Sequence, residues 1–113
     1  MTLEQLYSIL NEVLSNKVFY GKNVYDNNDN DSMPYIVYQE INKRAIGYHD
    51  DKPIKFSDSI QITLVTKSKD KTLETSLETK LLQNNLNYAL LSEYLNEDKS
   101  VNRVYEIKIM EEN

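Results

Sequence analysis

Three clusters in this 113-residue sequence hold residue types that could do chemistry. The run Asp26–Asp31 suggests a calcium loop. Such a loop takes acidic or amide ligands at its first, third and fifth positions, glycine at the sixth and glutamate at the twelfth. Counting from Asp26, Asn28 and Asn30 fit, but Asp31 stands where glycine belongs and Val37 where glutamate belongs, so the run reads as a solvated loop. The second cluster is Glu106-Ile107-Lys108 with Asp98 upstream. Metal-dependent nucleases hold Mg²⁺ with carboxylates spaced in this way and use a lysine beside the attacking water. Outward Glu and Lys on a strand are equally an ordinary solvent face, and the acidic balance of the chain favours that reading. The third cluster, His49-Asp50-Asp51, offers an acid–base pair. No serine or second histidine completes a nucleophile system around it, so it reads as a polar loop tip.

Composition narrows the field further. The chain has no cysteine, one histidine and two glycines. That excludes a disulfide scaffold, a thiol nucleophile, a cysteine-ligated zinc or iron–sulfur site and a glycine-rich phosphate loop. No enzymatic activity, cofactor or metal is expected. The net charge is −5. Groove binding to DNA draws its affinity from Lys and Arg on phosphates, so an acidic chain is a poor candidate for it. Acidity suits solubility, or the wall of a channel along which a duplex passes without sticking. No apolar run approaches the roughly 18 residues of a membrane span, and the N-terminus shows no signal-peptide pattern, so no membrane partner is expected.

Nine tyrosines and no tryptophan give a different kind of signal. Tyr35, Tyr38, Tyr48, Tyr88, Tyr94 and Tyr105 lie on or beside predicted strands. With an apolar ring and a polar tip, tyrosine serves both cores and protein–protein interfaces.

The elements that must position these residues follow from periodicity. Leu3, Leu6, Tyr7, Leu10, Val13 and Leu14 predict an amphipathic helix from Thr2 to Leu14, with Thr2 and Gln5 as a capping box and Asn16 and Gly21 beyond its end. Val18 to Tyr25 reads as an extended segment or a short edge strand. Tyr35 to Ile41 is a strand with apolar residues on both faces, and Ser59 to Thr66 alternates clearly. Asn42 to Ser57 between them is too long for a tight turn and reads as an extended β-arm or a long loop. Asp70 caps a second helix running to about Leu86 on a stripe of Leu73, Leu77, Leu81 and Leu82, beside Glu74 and Glu78. Tyr88 to Tyr94 is strand or helix continuation, Asn96 to Ser100 a turn, and Val104 to Met110 a closing strand. Met1–Asn113 is expected to form a single α+β domain. Its antiparallel sheet would have about four strands, with two helices on one face.

These residues resemble a family. The stretch Ala45–Ile54 is similar to the Tyr-x-Asp-x-x-Pro segment of small tail-terminator, or tail-completion, proteins of siphophages and Gram-positive prophages. Ile60–Asp70 resembles the strand that leads into that family's acidic helix, and Ser92–Asp98 with Val104–Ile107 resembles its closing strands. The resemblance spans about Met1 to Met110. His49 departs from it, standing where a small residue is common, and the Asp26–Asp31 loop is lengthened. The resemblance implies a hexameric ring that caps the head-proximal end of a tail tube, stops its polymerisation and docks the head connector. Its partners would be further copies of the chain, the tail-tube protein and a head-connector or neck protein, with DNA passing through the lumen without specific binding. Its place would be the head–tail interface of a virion assembled in the host cytoplasm. The segment between the long strands supplies the expected interface residues: Arg44, Ile46, Tyr48, His49, Asp51, Pro53, Ile54 and Phe56. A head-closure protein, or an acidic immunity or inhibitor protein masking a basic partner, are the competing readings.

Overall fold

The computed structural model describes residues 1–21, 33–46 and 55–112. Helix α1 (Leu3–Val13) starts on the expected capping box. The Gln5 N–H donates to Thr2 Oγ1 at 3.1 Å, and the Thr2 N–H donates to Gln5 Oε1 at 2.8 Å. Its buried face is Leu6, Ile9 and Leu10, while Tyr7 sits at the margin, 39% exposed. Asn16 (φ 64°) and Gly21 (φ 56°) take the left-handed conformation that turns the chain after the helix and after the next strand.

Helix α2 (Lys71–Gln83) begins with the Leu73 N–H donating to Asp70 Oδ1 at 3.0 Å. It stops earlier than the expected Leu86. Asn85 adopts φ 61°, its N–H donates to the Leu82 carbonyl at 3.0 Å, and the Leu86 N–H donates to the Leu81 carbonyl at 2.9 Å. This is a Schellman ending, and the apolar residue after it, Leu86, is buried against the core.

The strands are β1 (Val18–Tyr20), β2 (Tyr35–Ile46), β3 (Lys55–Thr66), β4 (Tyr88–Leu95) and β5 (Val101–Glu112). They form one five-stranded sheet in the order β1-β2-β3-β5-β4. The α+β class and the placing of both helices on one face agree with the sequence reading. The expected four antiparallel strands need correction. Val18–Tyr20 adds a parallel edge strand against Ile36–Tyr38, so the sheet is mixed. Tyr88–Leu95 is an edge strand on β5 and not a continuation of α2.

One face of the sheet carries Ile36, Tyr38, Ile60, Ile62, Leu64, Tyr105, Ile107 and Ile109, and the helices bury Leu6, Leu10, Leu77 and Leu81 against it. Each such side chain contributes roughly 1.5–3 kcal/mol by leaving water. The other face holds a smaller cluster of Tyr35, Val37 and Val65, with Phe19 and Met33 packed beside it.

The sheet narrows along its length. β1 covers β2 only at Ile36–Tyr38, and β4 covers β5 only up to Ile107. Beyond these points β2, β3 and β5 continue alone as a three-stranded ribbon, paired out to Ile46, Lys55 and Glu112. The Asn42–Ser57 stretch is therefore a β-arm wherever it is described. The sheet is five strands wide at the helices and three at the ribbon, within overall extents of 54 × 28 × 24 Å.

Candidate functional site

The ribbon carries the part of the expected interface that can be placed. Arg44 is exposed on β2 opposite Ser57, and Phe56 is half-buried on β3 opposite Ala45. Ile46 ends β2 opposite Lys55. Lys43 Nζ lies 4.8 Å from the centre of the Phe56 ring, within range of a cation–π contact. A register shift between Glu40 and Asn42 interrupts the β2–β3 ladder, and Ile41 there is 44% exposed. Tyr48, His49, Asp51, Pro53 and Ile54 lie outside the described residues, as do Asp26–Asp31 and the His49-Asp50-Asp51 cluster.

The nuclease-like residues do not come together. Asp98 sits in the turn after β4, where Oδ1 accepts from the Ser100 hydroxyl at 2.6 Å and its N–H at 3.0 Å. These bonds hold the Asp98 carboxyl below its ordinary range. Glu106 is five residues along β5 from Val101, roughly 16 Å at about 3.3 Å per residue. Among the described residues, no group of three or more His, Cys, Asp or Glu side chains could hold a metal ion. No helix there is long and apolar enough to cross a membrane.

Sequence reasoning missed a polar network that ties α2 to β4 and β5. Arg103 on β5 is its centre. Its Nη1 donates to Glu93 Oε1 at 2.8 Å, Nη2 to Glu78 Oε2 at 3.0 Å and Nε to the Tyr105 hydroxyl at 2.6 Å. The Tyr105 and Tyr88 hydroxyls both donate to Glu78. Lys69 reaches Glu93 at 2.7 Å and the buried Glu74 at 2.9 Å. Burial works to raise the Glu78 carboxyl, but the bonds from Tyr105 and Arg103 together outweigh it and hold Glu78 below the ordinary range. The Lys69 bond, then that of Arg103, does the same for Glu93. Burial and then the Glu78 carboxylate push the Tyr105 phenol up. The available signal was Glu74 and Glu78 beside the leucine stripe of α2, a spacing that equally suits a solvated flank. Among the described residues, Glu74 Oε2 and Asp58 Oδ1 are buried without a hydrogen-bond partner. The bonds among Arg103, Glu78, Glu93, Tyr88 and Tyr105 fix α2, β4 and β5 relative to one another.

Two apolar surfaces flank the sheet. At the β4 edge, Leu90, Leu91, Tyr94 and Leu95 are 44%, 50%, 49% and 69% exposed. At the β1 end, Leu3, Glu4, Tyr7, Ser8, Tyr20 and Tyr38 line an open groove of about 460 Å³. The Tyr20 and Tyr38 rings meet edge to face, with centres 5.1 Å apart. Burial first, then Tyr7 and Tyr20 nearby, raises the Tyr38 phenol.

No protein-family profile matches the sequence. No curated protein matches it either. Among solved structures, a chain from one described as the virion of a native gene transfer agent particle is similar over 92% of this chain and 86% of its own length. The identity is 8% and the TM-score 0.43, a likeness too slight to say what this chain does.

Proposed function

We propose that this chain is a non-catalytic virion assembly protein. In that reading it forms a ring on the head-proximal end of a phage tail tube, stops tube growth and offers a docking surface to the head connector. The observation that carries the proposal is the ribbon. Three strands extend past the two edge strands, and the segment on which the tail-terminator resemblance is centred joins two of them. A long, rigid β-arm is suited to reach a neighbouring subunit or tube, since its backbone bonds fix the position of Arg44 and Phe56 relative to the core. The net charge of −5 accords with a lumen that lets DNA pass without holding it. The ring, the tube contact and the connector contact all belong to this reading.

The test is assembly in vitro. A siphophage tail-tube protein is polymerised with and without the chain and imaged by electron microscopy. The expected result is tubes of limited length with density at one end. Tubes of unchanged length with bare ends would overturn the tail-terminator role, and binding to connector protein alone would support head closure instead.

A further inference from the structure

We infer that the tyrosine groove at the β1 end receives an arginine side chain of a partner protein, the guanidinium lying against the tyrosine rings and pairing with Glu4. Helix α1 supplies Leu3, Glu4, Tyr7 and Ser8 to this groove, and β1 and β2 supply Tyr20 and Tyr38. Glu4 and Tyr7 are three residues apart in the helix and so are neighbours on its surface. Strand pairing fixes the other wall. Tyr20 stands opposite Tyr38, and the Gly21 N–H donates to the Tyr38 carbonyl at 2.8 Å. The Tyr20 and Tyr38 rings lie at 80° to one another. Tyr38 is buried, whereas Tyr7 and Tyr20 are exposed and present ring surface to solvent.

The chemistry of the lining selects the occupant. Tyrosine rings carry negative π-faces, which attract a cation within about 6 Å of the ring centre. Glu4 adds a full negative charge. Among the described residues no cation pairs with it, since Lys69, Lys80 and Arg103 are engaged with other carboxylates. An apolar occupant would cover that carboxylate and leave it without a partner, which is costly. An anion would be repelled by Glu4 and by the net charge of −5. A cation on an apolar stem meets both demands, with the stem against Leu3 and the charge at the rings and the carboxylate. Arginine suits the site better than lysine. Its planar guanidinium stacks on rings, forks onto a carboxylate and sheds water more readily than an ammonium. The groove is open, which fits a side chain reaching in from another protein. Free small molecules are held in clefts that enclose most of their surface.

The probe is Nα-acetyl-arginine amide, whose only charge is the guanidinium. It is titrated into the chain while the tyrosine ring signals are followed by NMR. Saturable shifts of Tyr7, Tyr20 and Tyr38 are expected, with a Kd on the order of 10 mM for so small a ligand. Glu4→Gln and Tyr20→Leu should each weaken binding about threefold, while Tyr20→Phe, which keeps the ring, should restore it. Glu97→Gln, at an exposed position in the turn after β4, should change nothing. Far-UV circular dichroism confirms the fold of each variant. Nα-acetyl-lysine amide should bind more weakly, and the uncharged isostere Nα-acetyl-citrulline amide should leave the three rings unmoved. Equal shifts with the citrulline compound, tighter binding of the lysine compound, or equal weakening by Glu97→Gln and Glu4→Gln would overturn the inference. So would the lack of any saturable shift up to about 100 mM probe. The assay contains no tail protein. Its failure is therefore distinct from failure of the virion proposal, which tube capping alone decides.

Discussion

Arg103 meets Glu93 and Glu78 at 2.8 and 3.0 Å while only 17% of its side chain is exposed. A guanidinium held there costs desolvation, which the carboxylates and the Tyr105 hydroxyl offset. Removing it leaves the half-buried Glu78 without its cation, while Glu93 keeps Lys69, so Arg103→Met is expected to destabilise the fold by about 2 kcal/mol in a urea titration. The same network sets an acid limb. Glu78 and Glu93 titrate below their ordinary values in the folded chain, so the stability they contribute is complete above the unfolded carboxylate value and is lost as pH falls through the folded one. Tm is expected to be level from about pH 6 to 8 and to fall below about pH 4. The fall should be shallower in Arg103→Met. An unchanged acid limb in that variant would show that other carboxylates set it.

At the scale of the elements, the end of α2 shows how a single residue sets a boundary. Asn85 holds φ 61° so that Leu86 can turn back onto the core. An alanine there meets the left-handed penalty of about 1–2 kcal/mol, while glycine does not. Asn85→Ala is expected to lower stability by about 1 kcal/mol, with Asn85→Gly neutral or slightly stabilising, as read by thermal melts. This boundary was only partly legible in the sequence. The Asn84-Asn85 pair signalled an ending, yet Leu86 fits the leucine stripe equally well, and only the Schellman bonds decide. Tyr88–Leu95 was ambiguous for a related reason. Edge strands that leave apolar side chains outward lose the alternation that identifies a strand. The capping box of α1 and the alternating Ser59–Thr66 were legible because local bonds or a strict period dictate them. Asn42–Ile46 was not, since its pairing is fixed by Lys55–Ser59 across the ribbon and not by its own composition. For the candidate interface, length and resemblance point to the segment between β2 and β3, most of which lies outside the described residues. The apolar edge and the tyrosine groove depend on strand order, which no local pattern carries.

The whole molecule inherits a dependence from that strand order. β5 follows β4 in the chain but lies between β3 and β4 in the sheet, and β4 has no other neighbour there. β2 and β3 can zip together as a near-local hairpin, whereas β5 must find β3 across the intervening helix and strand, a closure that slows folding. Kinetically, β4 is a passenger of β5. Any fluctuation that frees β5 from β3 also takes β4 off the sheet, leaving it only the Tyr88–Glu78 and Lys69–Glu93 contacts, while β4 can leave alone. In native-state hydrogen exchange, the β4 amides should therefore never outlast the β5 amides that face β3 at Ile60–Val65. Slower exchange in β4 would mean that the Tyr88–Glu78 and Lys69–Glu93 contacts, or a partner on its outer edge, hold it independently of β5.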